Sequence, residues 1–376
     1  MTQDVIGIIN LAENEEKIQD LTANRPIAAI PFGGRYRVVD FTISNMVNSG
    51  IRKVAIFTKS KFRSLQDHLG PGKYWNLDRK RDGLYMLHPM TDYTNSVKLY
   101  GDLQTFKDNL DFLVSSRQKY VLICRSYVLA NIDLKPIVEF HKKSKADITI
   151  IGKPIENGQA ASQYIGLDRL ELDDCGNVTG VGLNFGSQDD FKLSLEMYLL
   201  KKELLIEIIT EAYSMGKNSF LKQAVFDYMN KLKVNMYPYQ GPTYFINSIF
   251  NYYKASMDLL HRETFKALFD GYGRIYTKIK DEPSTMYGST SCVTNSIVAN
   301  GCRIEGTVEN SIVFRGVHVA KGAIVRNSII MQNTEIDQTA HLNYVITDKG
   351  VKIAEKKILM GDGGVPFVIK KGVHIK

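Results

Sequence analysis

The sequence predicts an α/β domain built on a Rossmann-like, mostly parallel sheet, followed by a left-handed parallel β-helix. Three observations lead there. Short apolar runs alternate with amphipathic stretches through most of the chain, and a six-residue aliphatic repeat takes over near residue 285. A length of 376 residues with 44% apolar content also exceeds what one hydrophobic core usually organises. The expected division is 1–280 for the α/β domain, 281–290 for a linker and 291–376 for the β-helix.

The expected strands are Val5 to Ile9, Val54 to Phe57, Tyr120 to Ile123 and Ile148 to Ile151, each a short apolar run of the kind buried in parallel sheets. Between them, Phe41 to Ser49 and Leu103 to Leu113 read as helices, the latter because Leu103, Phe106, Leu110 and Leu113 recur at helical spacing. A further helix is expected from about Ser248 to Phe269, and Asp281-Glu282-Pro283-Ser284 has linker chemistry.

In the last part, Asn295-Ser296-Ile297-Val298, Asn310-Ser311-Ile312-Val313 and Asn327-Ser328-Ile329-Ile330 return at close to three hexads. Val313, Val319 and Val325 are six apart, as are Ile330, Ile336 and Leu342, and glycines at 301, 306, 316 and 322 stand at the corners. One inward aliphatic per six residues, with Gly or Asn at the bends, marks a parallel β-helix.

The charge balance of +8 favours small anionic partners and does not call for nucleic acid. Cys124, Cys175, Cys292 and Cys302 are scattered, with no metal-ligand spacing and no disulfide framework. Without a signal segment at the N-terminus or an apolar run of about 20 residues, a cytoplasmic protein that does not enter a membrane is expected.

The run from Arg25 to Phe41, RPIAAIPFGGRYRVVDF, continuing through Ser44-Asn45 and Asn48-Ser49-Gly50-Ile51, closely resembles the ADP-glucose pyrophosphorylases, or glucose-1-phosphate adenylyltransferases. Thr58, Lys61, Ser64-Leu65 and His68 continue the similarity, and with the β-helix it covers nearly the whole chain. The resemblance implies a nucleotidyltransferase domain whose members join ATP to glucose 1-phosphate. A glycine loop there lets backbone N–H groups approach the triphosphate, and two carboxylates hold Mg²⁺.

This sequence departs from each part. The loop G-G-x-G-T-R-L falls on Ala12 to Ile18, placing Glu13, Glu15 and Glu16 where polyphosphate would lie. At about 4 Å, like charges repel by ~1 kcal/mol in water and ~4 kcal/mol at a partly shielded surface. Ile27 replaces a lysine. Gln104 replaces an aspartate, and the two metal-binding aspartates fall on Ser126, preceded by Arg125, and on Phe245. The sugar motifs look degraded to Asn184-Phe185-Gly186 and Ser194-Leu195-Glu196-Met197-Tyr198.

A scaffold retained while its chemistry is removed resembles the D-type, non-catalytic subunits of this family. That implies a regulatory chain with no catalytic residue and no metal of its own. Its implied partner is a catalytic subunit of glucose-1-phosphate adenylyltransferase, in a homo- or hetero-tetramer. Arg25, Arg35 and Arg37 match positions near an anionic effector, and a solvated basic face is their plain alternative. Arg52-Lys53 reads as solvated surface, and the run Asp78 to Asp82 as a flexible charged loop, with contact to a partner subunit as its alternative. Two other functions stay open: an active sugar-phosphate nucleotidyltransferase with a rearranged site, and a β-helix acyltransferase using His318 or His341.

Overall fold

The apolar run at the N-terminus becomes the central strand of a nine-stranded sheet in this computed structural model. The structure describes residues 2–58, 61–89, 101–156, 161–186, 190–216, 221–228 and 231–376. The sheet strands are β1 (Val5–Asn10), β2 (Lys53–Phe57), β3 (Gly83–Leu87), β4 (Tyr120–Arg125), β5 (Ile148–Ile155), β6 (Asp168–Leu172), β7 (Val178–Leu183), β8 (Phe191–Lys201) and β9 (Val234–Pro238). Parallel pairing joins β3, β2, β1 and β4. The antiparallel β8 then stands between β4 and β5, so the sheet is mixed where its second half begins. Every residue of β1 is buried, because helices cover both faces.

Two expected helices are broken. Leu103–Asp108 and Leu110–Val114 are separate, and so are Ile249–Asp258 and Arg262–Asp270. At the second break His261 adopts an extended backbone, φ −82° and ψ 120°, which turns the chain before the next helix starts.

The β-helix forms three sheets of parallel strands, in which each coil pairs with the next. Val313, Val319, Val325, Ile330, Ile336 and Leu342 all point inward and are buried. Asn295, Asn310 and Asn327 take positive φ at the corners, +41°, +45° and +46°, a conformation that Asn tolerates better than most residues. Gly306 is required for a different reason: a Cβ there would lie 2.4 Å from the Ala323 carbonyl oxygen. The first coil opens at the strand Met286–Tyr287, inside the stretch expected as linker.

The two domains share a core. Ile312, Phe314, Ile329, Met331 and Ile346 of the β-helix pack into the same cluster as Ile27, Phe32 and Phe41. Arg315 donates to the Arg35 carbonyl at 3.0 Å, and the Tyr253 hydroxyl donates to the Asn327 carbonyl at 2.7 Å. This fixed contact sets the walls of the basic cavity described below.

Candidate functional site

Parallel pairing of β1 with β4 brings Asn10 opposite Arg125, so the segment after each strand emerges at one edge of the sheet. Ligand sites of open α/β sheets form at that carboxyl edge. A cavity of about 330 Å³ lies there, and Glu13, Asn14, Arg125, Tyr127, Glu196 and Lys222 are among the residues lining it.

Its charged side chains stand in ion pairs, although Arg125 Nη1 has no hydrogen-bond partner among the described residues. Arg125 Nε donates to Glu196 Oε2 at 2.9 Å, and Nη1 lies 3.5 Å from Asp102 Oδ2. All three side chains are buried, at 8%, 10% and 2% exposure. The Tyr127 hydroxyl donates to the other Glu196 oxygen. Lys222 Nζ pairs with Asp168 and stands 4.0 Å from Glu196. Asp102 also accepts from the Leu221 backbone N–H at 2.6 Å. Both the Ser126 N–H and its hydroxyl donate to Glu13 Oε1, each at 2.7 Å. Thus the residue in the expected phosphate-loop position and the one in the expected metal-ligand position are bonded to each other.

Protonation equilibria follow from this packing. Burial pushes the Glu13 carboxyl up, against Arg125 and the Ser126 hydrogen bonds. Burial acts the same way on Glu196, but Arg125 and Lys222 outweigh it and hold that carboxyl below its ordinary value. For Arg125, burial favours the neutral form, while Glu196 and then Asp102 reverse the effect and raise its pKa. Asp168 is raised by burial and by Glu196 even though Lys222 pairs with it.

Taken as ions, Glu13, Asp102, Asp168 and Glu196 exceed Arg125 and Lys222 by two negative charges. The cavity therefore offers a nucleoside triphosphate no net attraction. It does not fit Mg²⁺ either, since the positions expected to supply carboxylates hold a serine bonded to Glu13 and a buried phenylalanine. Phe245 packs against the rings of Tyr127 and Tyr164, with centroids 5.9 Å away in each case.

Glu196 holds this arrangement through an unusual backbone. It has φ +49°, a left-handed value, where the pairing of β8 with β5 shifts register between Ser194 and Met197. A non-glycine residue there costs on the order of 1–3 kcal/mol, a strain the surrounding structure must offset. The bonds to Arg125 and Tyr127 supply that compensation.

The other expected positions are dispersed. Of the three glutamates only Glu13 borders the cavity. Glu15 is neutralised by Lys61 at 3.0 Å, and Glu16 is exposed with its backbone N–H on Asn14 Oδ1, so the expected stack of three charges reduces to one. Ile27 is fully buried, and Gln104 Nε2 donates to Asp108 at 2.6 Å. His318 pairs with Glu305 at 3.2 Å on one β-helix sheet, whereas His341 is exposed on another.

The three arginines divide. Arg25 is buried and bound to Asp348 at 2.9 Å. Arg35 and Arg37 instead border a small basic cavity of about 80 Å³ between the domains, together with Lys278, Lys280, Arg315 and Lys349. Burial, followed by repulsion from Arg37 and Arg25, brings the Lys349 ammonium down to about 7. Arg37 is lowered to about 10, mainly by burial, and donates to the Ser64 carbonyl at 2.6 Å. Asp67 in the same wall offsets part of this crowding, and the excess of cations that remains favours an anion.

Sequence reasoning missed Asp102, Asp168 and Lys222 as partners in the first cavity, and Lys278, Lys280, Arg315 and Lys349 in the second. Adjacency in the sheet or across the domain contact creates these groups, and no local spacing encodes it. Among the described residues no group of three acidic, histidine or cysteine side chains could hold a metal ion, and no helix is long and apolar enough to cross a membrane.

Fold and site together define a nucleotidyltransferase-type domain joined to a hexapeptide β-helix. The sequence model of the nucleotidyl transferase family matches residues 15–164, and the GlmU-like C-terminal hexapeptide model matches 283–362. The chain is 37% identical over 369 residues to the glycogen biosynthesis protein GlgD of Bacillus subtilis, covering 98% of this chain and 96% of that one. Against the GlgD protein of Geobacillus stearothermophilus identity is 39%, with 99% and 97% covered. The glucose-1-phosphate adenylyltransferase of Clostridium perfringens strain 13 is 29% identical, over 89% of this chain and 85% of that enzyme. The chain belongs to the GlgD family of glycogen biosynthesis proteins.

Proposed function

We propose that this chain is the regulatory, non-catalytic subunit of a glucose-1-phosphate adenylyltransferase, acting in the cytoplasm in glycogen synthesis. One observation carries the reading: the Arg125 guanidinium, held by Glu196 and Asp102, occupies the cavity where the fold would otherwise receive a metal-bound nucleotide. A cation already paired with two buried carboxylates has its charge compensated within the chain, which leaves little of it for the charge that develops on a transferring phosphoryl group. The chain then acts through association, with the catalytic relative as partner in a hetero-tetramer and with a phosphorylated or inorganic anion bound among Arg35, Arg37, Arg315 and Lys349.

Co-expression with the catalytic relative and affinity purification through this chain alone tests the assembly. The relative is expected to co-elute in a fixed ratio, and the mixed complex to change its rate when inorganic phosphate is added. Replacing Arg35 and Arg315 by Ala should abolish that response while leaving co-elution intact. Failure to co-elute, or an undiminished response in the double variant, would contradict the proposal.

A further inference from the structure

One corner of the β-helix faces the basic cavity coil after coil. Parallel register sets Ile312 beside Ile329 and Ile329 beside Ile346, so Arg315, Gln332 and Lys349, each three residues on, stand at the same corner of successive coils. All three border the cavity. The backbone holds this ladder: the Asn333 N–H donates to the Arg315 carbonyl at 3.1 Å, the Gly350 N–H to the Gln332 carbonyl at 2.9 Å, and the Gly372 N–H to the Lys349 carbonyl at 2.9 Å. Neighbouring strands of a sheet lie about 4.8 Å apart, which puts adjacent corner side chains within reach of one another. Two of these side chains lack the partner their chemistry asks for. Gln332 Oε1 is a buried acceptor with no donor among the described residues, an uncommon state in folded proteins. Lys349 Nζ has no carboxylate within ion-pair distance among the described residues, since Asp348 is bound to Arg25 at 2.9 Å. Arg35, Arg37, Lys278 and Lys280 share the cavity with it, and Asp67 is the only carboxylate among the described residues of the wall. His68 in that wall is bonded to Asp40 at 2.7 Å, while Arg25 and Lys371 repel the Lys349 ammonium from outside it. Burial among cations therefore favours the neutral amine, with its pKa down at about 7.

We infer that Lys349 is a site of reversible carbamylation by carbon dioxide. The lone pair of the neutral amine attacks the carbon of CO₂ and forms a C–N bond, one C–O π pair moves onto oxygen, and the nitrogen releases a proton to solvent. The sum is R–NH₂ + CO₂ → R–NH–COO⁻ + H⁺, with nothing oxidised or reduced. The product matches what the corner lacks. Its N–H is a donor for Gln332 Oε1, and its planar carboxylate suits the guanidinium forks of Arg37 and Arg315. The cavity of about 80 Å³ is small, and the modification adds only a carboxylate group to a side chain already there. Carbamylation also replaces a member of the cation cluster with a covalent counter-ion at the contact between the domains. It goes beyond the binding of an external anion proposed above, and the two compete, because both draw on the same cations and phosphate favours the protonated amine.

The test incubates the full chain alone with carbon-13-labelled bicarbonate in equilibrium with carbon dioxide, near pH 7.5. Triethyloxonium then traps carbamates as ethyl esters, and peptide mass spectrometry locates the label. No partner is present, so the result does not depend on the regulatory proposal. At that pH an ordinary lysine, with a pKa of 10.5, is neutral in about one molecule per thousand, whereas Lys349 is mostly neutral. Lys349 should therefore carry at least about tenfold more label than any exposed lysine, and at fixed CO₂ its label should fall about eightfold at pH 6. Inorganic phosphate should suppress the label, Gln332→Ala should reduce it, and Lys349→Arg should remove it from this position alone. The inference is overturned by the absence of a trapped ester at Lys349, which is also the outcome for bicarbonate held without a covalent bond. Label equal to that of exposed lysines, label indifferent to phosphate, or full label in Gln332→Ala would overturn it as well.

Discussion

Replacing Arg125 by Ala removes the cation from two buried carboxylates at once. Glu196 would keep the Tyr127 hydroxyl and a distant Lys222, and Asp102 would keep the Leu221 N–H, but neither would keep a close countercharge. Breaking a buried pair in this way costs roughly 3–5 kcal/mol. An independent bound comes from protonation. A carboxyl with the ordinary value of 4.5 can escape its unpaired charge at pH 7 by taking up a proton, which costs about 3 kcal/mol at 1.36 kcal/mol per unit of pKa. The two figures agree, and the second fixes a sign. In the variant the folded-state pKa of Glu196 lies above its unfolded value, so the folded state binds more protons and its stability falls as pH rises. Urea unfolding followed by Trp75 emission should therefore find Arg125→Ala destabilised by about 3–5 kcal/mol near neutral pH, with the deficit shrinking by about 2 kcal/mol or more toward pH 5. Adding Glu196→Gln should restore part of the loss, because the two residues are coupled. A deficit below about 1 kcal/mol that does not vary with pH would mean that Arg125 is solvated and does not close the cavity.

Three further outcomes rest on contacts elsewhere in the chain. Ser126→Asp should not create activity, since it sets a carboxylate against Glu13, whose oxygen now accepts both Ser126 donors; the variant should also unfold more easily, and measurable ADP-glucose synthesis would show that the missing parts exist elsewhere. Lys349 has its folded pKa lowered to about 7 from an ordinary 10.5, so it is increasingly neutral between those values, and chain stability rises with pH across that window. Phosphate binding beside it should take up a proton and weaken as pH rises through 7, which calorimetry in two buffers of different ionisation enthalpy would detect; uptake of no proton would remove Lys349 from the site. Ile358 and Met360, 67% and 66% exposed on the last coils of the β-helix, should tolerate substitution by Glu without unfolding but release the catalytic partner in size-exclusion chromatography, and unchanged assembly would assign the interface to the N-terminal domain. Truncation at Ser284 cannot serve instead, because Phe314 and its neighbours complete the core of the first domain.

The β-helix was legible in detail because its physics is local: each coil repeats one inward aliphatic and one bend, so Val313, Val319 and Val325 announce their burial by spacing alone. The parallel half of the sheet was legible for a similar reason, as β1, β2 and β4 are nearly unbroken apolar runs. The antiparallel insertion of β8 and the turn at His261 were not, because apolar pattern says little about strand neighbours or about where a long amphipathic stretch bends. That Ser126 and Phe245 stand where the resemblance places carboxylates could be read from a motif, but what surrounds them could not. Arg125 and Glu196 are 71 positions apart and meet only through the pairing of β4 with β8, and Glu196 reaches inward only because a register shift gives it φ +49°. Likewise, Arg25 and Arg37 look equivalent in sequence, yet Asp348 in the β-helix neutralises one and leaves the other facing a cavity.

The central claim is that this chain regulates ADP-glucose synthesis without performing it. The most direct measurement compares ADP-glucose formation by the purified chain alone, by the catalytic relative alone, and by the two mixed at increasing ratios, with Mg²⁺, ATP and glucose 1-phosphate present throughout. The account predicts no turnover from the chain alone and a mixed rate that departs saturably from that of the relative. Turnover by the chain alone at rates typical of enzymes, about 1–10³ s⁻¹, would contradict it, as would a mixed rate equal to that of the relative at every ratio.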